Sequence, residues 1–353
     1  MGMVSFVLHS TALNSWEPVY LLGSHPALGS WQPRAVRLNW KNGTYSAEVT
    51  IPTGEEFEYL FSRGGYRDVE SDADGGEVRP HRAVAFEGLT LRHEVPAWGR
   101  DSLKFHPDMT SQHLPHPHHV WVHLPPGYHH EAERRYPVMY LHDGQNLFEA
   151  HRAFAGVAWD CDDAAERLVR TRKAAAVIQV GVGNTPDRIK EYGPLNRGDD
   201  LALGYQRFLI DELKPMIDST YRTLGDARYT GLGGSSLGGL MSLHLARERP
   251  DVFGCCAAMS PSLWWDDEHL LHAIEREPAG LQHTRLWLDM GGLEGFSDHG
   301  RWANIRRARA LAACLAYRSD GVCYRELPDG LHNEWAWAER YPNVLEFLFP
   351  VRN

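Results

Sequence analysis

Residues 230–242 read TGLGGSSLGGLMS and set two adjacent serines between glycines. A serine can be presented as a nucleophile on a tight strand-to-helix turn when the residues two before and two after it are small, because the turn brings those positions together. Around Ser236 these positions are Gly234 and Gly238, whereas around Ser235 the second position is Leu237. The spacing therefore predicts that Ser236 carries the reactive hydroxyl.

The segments on either side of this turn have the patterns that such a turn requires. RYTGL, which precedes it, is short and apolar like a buried strand. The segment that follows it has the spacing of one helical face at Leu237, Leu240, Met241 and Leu245. Glycine and serine clusters also occur in plain loops, but the order of strand, turn and helix favours a nucleophile turn.

A serine hydroxyl is a weak nucleophile and needs a base that is oriented by an acid. In folds with this turn, the acid and then the histidine follow the serine, each in a loop after a later strand. His332 follows the last predicted strand, in YRELPDGLHNEWAW. The segment LWLDMGGLEGFSDHG offers Asp289 at a strand end and Glu294 in the loop beyond it. We expect Glu294 to be the acid because the loop extends its reach, with Asp289 as the alternative.

Acyl transfer also needs two donors for the developing oxyanion. The N–H of Leu237, which follows Ser236 at the start of the helix, is the first candidate. The second is expected in the turn MYLHDGQNLF, from Gly144 or Gln145, since a glycine there lets the backbone approach a substrate. Asn146 in the same turn is a predicted substrate contact.

The composition limits the classes of partner. The chain has 353 residues and a formal charge of −10, and its lysines and arginines are scattered, so neither nucleic acid nor an anionic membrane is an expected partner. No apolar run reaches the roughly 18 residues of a membrane span, and the first residues lack the pattern of a signal peptide. The five cysteines form no C-x-x-C pair, which predicts free thiols and a cytoplasmic location.

The hydrophobic pattern divides the chain into two parts. Short apolar runs separated by turn clusters predict an all-β, immunoglobulin-like sandwich domain over residues 1–97. Residues 98–353 predict an α/β domain, because strand-like and helical segments alternate there. The predicted sandwich strands are Val4–Leu8, Val19–Leu22, Tyr45–Ile51, Phe57–Phe61, Ala83–Phe86 and Leu89–Leu91, and the predicted helices include Trp159–Arg172, Asp200–Tyr221, Trp302–Tyr317 and Glu334–Leu348.

A segment rich in histidine, proline and serine, AWGRDSLKFHPDMTSQHLPHPHH, lies at the start of the second part. It reads as a proline-containing connector, and the spacing of His116, His118 and His119 does not match a four-ligand zinc site. We therefore expect no metal and no cofactor.

Several separate blocks of the second part resemble the enterochelin-esterase and esterase D-like group of esterases, which is related to the feruloyl esterases of carbohydrate esterase family 1. The blocks, in chain order, are YPVMYLHDGQNLF, GVGNTPDRIKEYGP, TGLGGSSLGGLMSLHLARERPDVFGCCAAMSPSLWW, LWLDMGGLEG and GLHNEWAW. The resemblance covers about residues 100–350 and implies an α/β-hydrolase fold, with Ser236 as nucleophile, Glu294 as acid and His332 as base. It also places Trp264 and Trp265 either along the cleft, as substrate contacts, or in the core.

The first part resembles starch-binding modules in VYLLGSHPALGSWQP and TGEEFEYLFSRGGYRDVESDADGG. Such modules stack exposed aromatic rings on sugars, and Trp31 matches one of these positions. Val69 stands where starch binders place the second ring, with Tyr66 as a substitute. We therefore favour a domain that packs against the hydrolase part or shapes its cleft, with glucan binding as the alternative.

The leading hypothesis is a serine carboxylic-ester hydrolase that forms an acyl-enzyme with a small-molecule ester, either siderophore-like or carbohydrate-linked. One alternative is a carbohydrate-binding or regulatory protein with the hydrolase part as a scaffold. Another is acyl transfer to a sugar. The sequence leaves the natural ester and the oligomeric state open.

Overall fold

The computed structural model describes residues 1–10, 13, 17–73, 75–99, 101–193, 200–295, 297–316 and 321–351. These residues form two compact units. The first unit comprises Met1–Leu103, Pro125–Ala132 and Asp162–Ala174, and the second comprises Lys104–Leu124, Glu133–Cys161 and Ala175–Asn353.

The first unit contains short strands, as its turn-rich sequence predicts. They are β1 (Gly2–His9), β2 (Tyr20–Gly23), β3 (Val36–Arg37), β4 (Asn39–Lys41), β5 (Thr44–Ile51), β6 (Glu56–Ser62), β7 (Glu70–Ser71), β8 (His81–Val84), β9 (Leu89–Glu94) and β10 (Ala97–Trp98). Two four-stranded sheets have the orders β4-β5-β1-β9 and β3-β2-β6-β8, and β10 pairs with β7.

Alternating side chains build the core of this unit. In β1, Val4, Phe6 and Leu8 are fully buried while their neighbours are more exposed, which is the period-two pattern of a half-buried strand. They pack with Leu21 and Phe61 of the other sheet in one hydrophobic cluster. The predicted all-β architecture is therefore the one observed.

A second, smaller cluster in this unit contains Trp31 and Tyr66 together with Leu22, Leu60 and Val69. Trp31 is 3% exposed and Tyr66 is fully buried. The Tyr66 hydroxyl donates to the carbonyl oxygen of Trp31, and the Arg170 guanidinium lies 5.1 Å from the Trp31 ring. Neither aromatic ring is presented to solvent as a sugar platform.

The second unit is built on one eight-stranded sheet. Its strands are β11 (Leu103–Met109), β12 (His118–His123), β13 (Val138–His142), β14 (Ile178–Val182), β15 (Thr230–Ser235), β16 (Cys255–Met259), β17 (Arg285–Gly291) and β18 (Val322–Leu327), in the order β11-β12-β14-β13-β15-β16-β17-β18. The six strands from β14 to β18 in that order are parallel, and β12 is antiparallel to β14. The inner strands β13–β16 are buried throughout, as parallel strands covered on both faces are.

Helices lie between these strands along the chain, and the first of them belongs to the first unit from its second residue onward. They are α1 (Cys161–Arg170), α2 (Arg188–Tyr192), α3 (Asp200–Arg207), α4 (Lys214–Thr220), α5 (Leu237–Glu248), α6 (Trp265–Arg276), α7 (Asp298–Ala316) and α8 (Glu334–Leu348). A π-helical segment, Phe208–Leu213, joins α3 to α4, so the predicted helix over 200–221 is observed with one widened turn. Of the predicted helix Trp302–Tyr317, Tyr317 lies outside the described residues.

The predicted connector is wrong in two places. Leu103–Met109 forms strand β11 at one edge of the large sheet, and His118 and His119 begin strand β12. His118 is fully buried, and its Nδ1 lies 2.7 Å from the carbonyl oxygen of Gly183. The start of β12 reads as a loop in the sequence, because histidines and prolines precede the apolar residues VWV that mark the strand.

The described residues contain neither a membrane-spanning helix nor a group of metal-ligating side chains. No helix among them combines the length and the apolar character that crossing a membrane requires. No group of three or more His, Cys, Asp and Glu side chains in this part of the chain is arranged to hold a metal ion.

Candidate active site

Ser236 stands at the junction of β15 and α5. Its backbone has φ 57° and ψ −120°, a conformation that is strained for a residue with a side chain. Its N–H donates to the carbonyl oxygen of Met259 at 3.0 Å, and its own carbonyl oxygen accepts the N–H of Leu240 at 3.0 Å. The turn is therefore held from the neighbouring strand and from the helix.

Two glycines allow this turn to form. A Cβ added to Gly234 would lie 3.1 Å from the backbone of Gly238 and equally close to the Cβ of His142. A Cβ added to Gly238 would lie 3.0 Å from the same His142 atom. The small residues that the sequence pattern requires are thus needed because the turn packs against itself and against the end of β13.

The structure brings the three predicted triad residues together. His332 Nε2 lies 2.9 Å from the Ser236 Oγ, and His332 Nδ1 lies 2.8 Å from Glu294 Oε2. Glu294 lies in the loop after β17, and His332 lies in the loop after β18, just before α8. The histidine side chain is 42% exposed whereas the glutamate side chain is 2% exposed, so the serine end of the array faces solvent and the acid end does not.

The Glu294 carboxylate is held by donors on both of its oxygens. Oε1 accepts the Gly291 N–H at 2.8 Å and lies 2.5 Å from the Ser260 Oγ. Oε2 is the atom that contacts His332. A carboxylate with this many partners has one orientation, which directs Oε2 at the imidazole.

Asp289, the alternative acid, has other partners. Its Oδ1 lies 2.6 Å from Arg340 Nη1 and accepts the Ser260 N–H at 3.0 Å, and its Oδ2 accepts the Trp287 indole N–H at 2.7 Å. The side chain is fully buried. Burial raises the pKa of the Asp289 carboxyl above its usual value, against the opposing attraction of Arg340.

Four residues around the triad were not anticipated from the sequence. They are Ser260, Ser262, Trp337 and Arg340, all buried. Ser262 Oγ lies 3.3 Å from the Ser236 Oγ, and the Trp337 ring lies edge-on to the His332 ring at 4.9 Å. One sequence signal was available: Arg340 is a charged residue on the otherwise apolar buried face of α8.

The predicted oxyanion donors lie at the ends of two adjacent strands. Leu141 of β13 is paired with Gly233 of β15, and both strands are parallel, so the turns that follow them share one edge of the sheet. Leu237 is the first residue of α5, where a helix has no internal acceptor for its N–H. Gly144 and Gln145 lie in the 3₁₀ turn Gly144–Asn146.

Backbone packing and ion pairing fix this 3₁₀ turn. A Cβ added to Gly144 would lie 2.5 Å from the carbonyl carbon of Gly181, so only glycine fits there. The preceding residue, Asp143, has φ 57° and is bound by both Nε and Nη2 of Arg188 at 2.7 Å. Asn184 Nδ2 donates to the same carboxylate at 2.6 Å.

The predicted substrate contacts have different surroundings. Asn146 is buried, and its side-chain oxygen accepts the Phe154 N–H at 2.9 Å within its own loop. Trp264 is 51% exposed. Trp265 is half-buried and packs against Gly193, where an added Cβ would lie 2.9 Å from the Trp265 Cζ2 atom. Trp335, three residues after His332, is 71% exposed.

Comparison with known families matches both parts of the chain. The family described as "Putative esterase" matches residues 111–348, and the family described as "Starch binding domain" matches residues 3–82. Both resemblances inferred from the sequence blocks are confirmed.

Two esterases have sequences similar to part of this chain. The siderophore triacetylfusarinine C esterase of Aspergillus fumigatus is 30% identical over 184 residues, which span 48% of this chain and 59% of that protein. The ferri-bacillibactin esterase BesA of Bacillus subtilis is 28% identical over 209 residues, which span 52% of this chain and 68% of that protein.

Solved structures have the same fold. A ferulic acid esterase superposes with a TM-score of 0.57 at 20% identity, covering 70% of this chain and 98% of its own. The enterobactin esterase of Shigella flexneri, solved in the presence of enterobactin, has a TM-score of 0.57 at 17% identity and covers 98% of this chain and 92% of its own. The predicted α/β-hydrolase class with an N-terminal β-sandwich is confirmed.

Proposed function

The chain belongs to the family described as "Putative esterase" and is a carboxylic ester hydrolase, and on this premise we propose that Ser236, His332 and Glu294 are its catalytic triad. The observation that carries the proposal is the continuous array of hydrogen bonds from Glu294 through His332 to Ser236, with distances of 2.8 and 2.9 Å. These three side chains come from the ends of three strands of one sheet.

In the first half-reaction, His332 acts as the base. Its Nδ1–H donates to Glu294, so its Nε2 is left to accept the Ser236 proton. As the proton leaves, the Ser236 Oγ attacks the ester carbonyl carbon, and Glu294 stabilises the imidazolium that forms. His332 then gives the proton to the departing alcohol, which leaves an acyl-enzyme on Ser236.

The negative oxygen that develops on the carbonyl needs fixed donors. We assign this role to the N–H of Leu237 and to the N–H groups of the turn containing Gly144 and Gln145. The position of Leu237 at the start of α5 adds the favourable end of the helix dipole. In the second half-reaction, His332 takes a proton from water as the water oxygen attacks the acyl carbon. The bond from that carbon to the Ser236 Oγ then breaks, the carboxylic acid leaves, and His332 returns the proton to Ser236.

We propose that the substrate is a siderophore-like or carbohydrate-linked ester. Relatives named as siderophore esterases, and the endo-1,4-beta-xylanase/feruloyl esterase of Xylanibacter ruminicola at 29% identity over 150 residues, support these two classes. Exposed apolar side chains, Leu331 and Trp335, flank His332 in the sequence, and exposed Trp264 follows the strand next to that of Ser236. Such residues favour a substrate with a flat apolar part.

A fluorophosphonate probe tests the nucleophile. We expect one label on the wild type at Ser236 and no label on Ser236→Ala, with p-nitrophenyl ester hydrolysis reduced about 10⁶-fold. Ser235→Ala is the matched control, since it deletes the neighbouring hydroxyl, and it should retain labelling. An active Ser236→Ala enzyme would refute the proposal.

A panel of siderophore, feruloyl and acetyl-sugar esters, run with and without a sugar acceptor, separates the substrate classes and detects acyl transfer.

Glucan binding by the N-terminal domain is the second candidate function. We propose that this domain spans residues 1–97 and that the esterase domain spans residues 98–353. The match to the starch-binding family over residues 3–82 favours it. The burial of Trp31 and Tyr66 argues against the usual stacking site. Calorimetric titration of the full chain with β-cyclodextrin tests it, and we expect no heat of binding.

We also propose that the enzyme works in the cytoplasm. All five cysteines, each within the described residues, are free thiols, and three of them are buried. Free thiols are typical of a reducing compartment. Fractionation of the cells that produce the protein tests this location.

A further inference from the structure

Ser260 lies in the loop after β16, and its hydroxyl is buried between helix α8 and the Glu294 carboxylate. The Oγ lies 2.5 Å from Glu294 Oε1, 3.1 Å from the Trp337 indole nitrogen and 3.2 Å from Arg340 Nη1. The residue is 1% exposed.

The partners of this hydroxyl determine where its proton points. An indole N–H and a guanidinium N–H only donate hydrogen bonds, so the Ser260 oxygen accepts both of them. Its single proton is then directed to the third partner, Glu294 Oε1, which only accepts when ionised. The Ser260 hydroxyl therefore donates its hydrogen bond to Glu294 Oε1 and accepts the other two.

The structure assigns Ser260 as a positioning residue for the acid of the triad, an inference that rests on the proposed roles of Ser236, His332 and Glu294. With the Ser260 hydroxyl and the Gly291 N–H on Oε1, the carboxylate is held with Oε2 directed at His332. This arrangement keeps the imidazole proton on Nδ1 and the acceptor lone pair of Nε2 towards Ser236.

The end of β16 and this loop, residues 259–262, also hold the nucleophile. The carbonyl oxygen of Met259 accepts the Ser236 N–H at 3.0 Å, and the Ser262 N–H donates to the carbonyl oxygen of Ser236 at 3.1 Å. Residues 259–262 thus contact the nucleophile through their backbone and the acid through the Ser260 hydroxyl. A displacement of this loop would change both ends of the triad at once.

Ser260 has a backbone φ of 44°, in the left-handed region that favours glycine. A serine there costs backbone strain that a glycine would avoid, and strain of this kind clusters at functional sites. The side chain at this position is therefore best explained by its hydroxyl. Ser260→Gly consequently deletes the hydroxyl while relieving the backbone, which makes it a better test than Ser260→Ala alone.

The test compares Ser260→Gly and Ser260→Ala with the wild type. Because a hydrogen bond to a charged group is worth a factor of about 10 to 100, we expect kcat to fall by that factor with KM changed less than threefold. The low-field proton resonance of His332 Nδ1–H should shift or broaden in both variants, and a role in stability alone would not move it. Thr230→Val is the control, because it deletes a buried hydroxyl at the opposite end of β15. That hydroxyl donates to the backbone carbonyl oxygen of Asp226 at 3.1 Å.

The outcomes distinguish this inference from the proposed function. If the wild type takes the fluorophosphonate label at Ser236 while both Ser260 variants keep the wild-type kcat and the wild-type resonance, Ser260 does not position the acid. If the wild type itself takes no label, the triad proposal has failed first. If only Ser260→Ala fails to fold, Ser260→Gly still decides the question.

Discussion

Asp289 and Arg340 form a buried ion pair with 2.6 Å between Oδ1 and Nη1, and both side chains are at most 3% exposed. The pair joins the end of β17 to helix α8, while Glu294, in the loop that follows β17, is left to contact His332. Two carboxylates only five residues apart thus have different partners. The aspartate stabilises the site, and the glutamate takes part in the proposed chemistry.

Exchanging each of these carboxylates for its amide should separate the two roles. We expect Glu294→Gln to lower kcat/KM about 10³- to 10⁴-fold, because the amide no longer stabilises the imidazolium, with little change in thermal stability. Ester hydrolysis by the purified variant, together with its melting temperature, checks this.

Asp289→Asn is the matched comparison. It leaves Arg340 buried without its carboxylate, so we expect the free energy of unfolding to fall by about 3 kcal/mol. The rate per folded molecule should fall less than tenfold. If Asp289→Asn instead lost activity as Glu294→Gln is expected to, the assignment of the acid would be wrong.

Gly144→Ala should damage the turn to which we assign the second oxyanion donor. The added Cβ would meet the backbone of Gly181 at 2.5 Å, and backbone cannot rotate aside as a side chain can. We expect kcat to fall about 10²-fold, as for the loss of one oxyanion donor. Gly225→Ala is the control, since its nearest neighbour would be the Asp218 carboxylate at 3.8 Å, and it should leave kcat unchanged. Equal losses in both variants would contradict the role of the turn.

The buried His142 should make the protein sensitive to acid. Burial lowers the pKa of His142 to about 3, and its Nδ1 lies 2.8 Å from the Tyr205 hydroxyl. The pKa of a histidine in the unfolded chain is about 6.5. Between that pH and the folded pKa of about 3, the unfolded chain binds a proton that the folded chain does not. The free energy of unfolding therefore falls as the pH falls through this range, by up to about 1.4 kcal/mol per pH unit.

His142→Gln should remove this contribution. We expect the slope of unfolding free energy against pH, measured by urea unfolding from pH 6.5 to 4.5, to be smaller than in the wild type, whatever the stability at pH 7. The exposed His151 provides the control, and His151→Gln should keep the wild-type slope. An unchanged slope in His142→Gln would mean that another group causes the acid sensitivity.

Arg170 should stabilise the first unit through its contacts with two aromatic rings. Its guanidinium lies 5.1 Å from the Trp31 ring and 5.5 Å from the Tyr66 ring, and the side chain is 8% exposed. We expect Arg170→Ala to lower the free energy of unfolding by about 1–2 kcal/mol. Thermal unfolding measures the change, and Arg167→Ala, on the same helix, should have a smaller effect. Equal losses of stability in the two variants would mean that any arginine of this helix has the same effect, and would contradict a specific role for the ring contacts of Arg170.

The sequence by itself predicted Ser236 as the nucleophile and determined the general architecture. Ser236 could be chosen over Ser235 because the turn is local: the steric demand acts between residues two positions away on either side. His332 could be placed by chain order, because the ends of parallel strands meet at one edge of the sheet. The alternation of apolar segments was enough to predict a β-sandwich followed by an α/β sheet.

Only the tertiary structure decided which side chains from distant elements become partners. The sequence offered both Asp289 and Glu294 as the acid for His332. The contact of Asp289 with Arg340, 51 residues later, gives the aspartate a different partner and leaves Glu294 for the histidine. In the same way, Trp31 fits a sugar-binding pattern but is buried beneath Arg170 of α1. Local spacing determines backbone geometry over a few residues, whereas burial and ion pairing depend on packing between elements that the sequence separates.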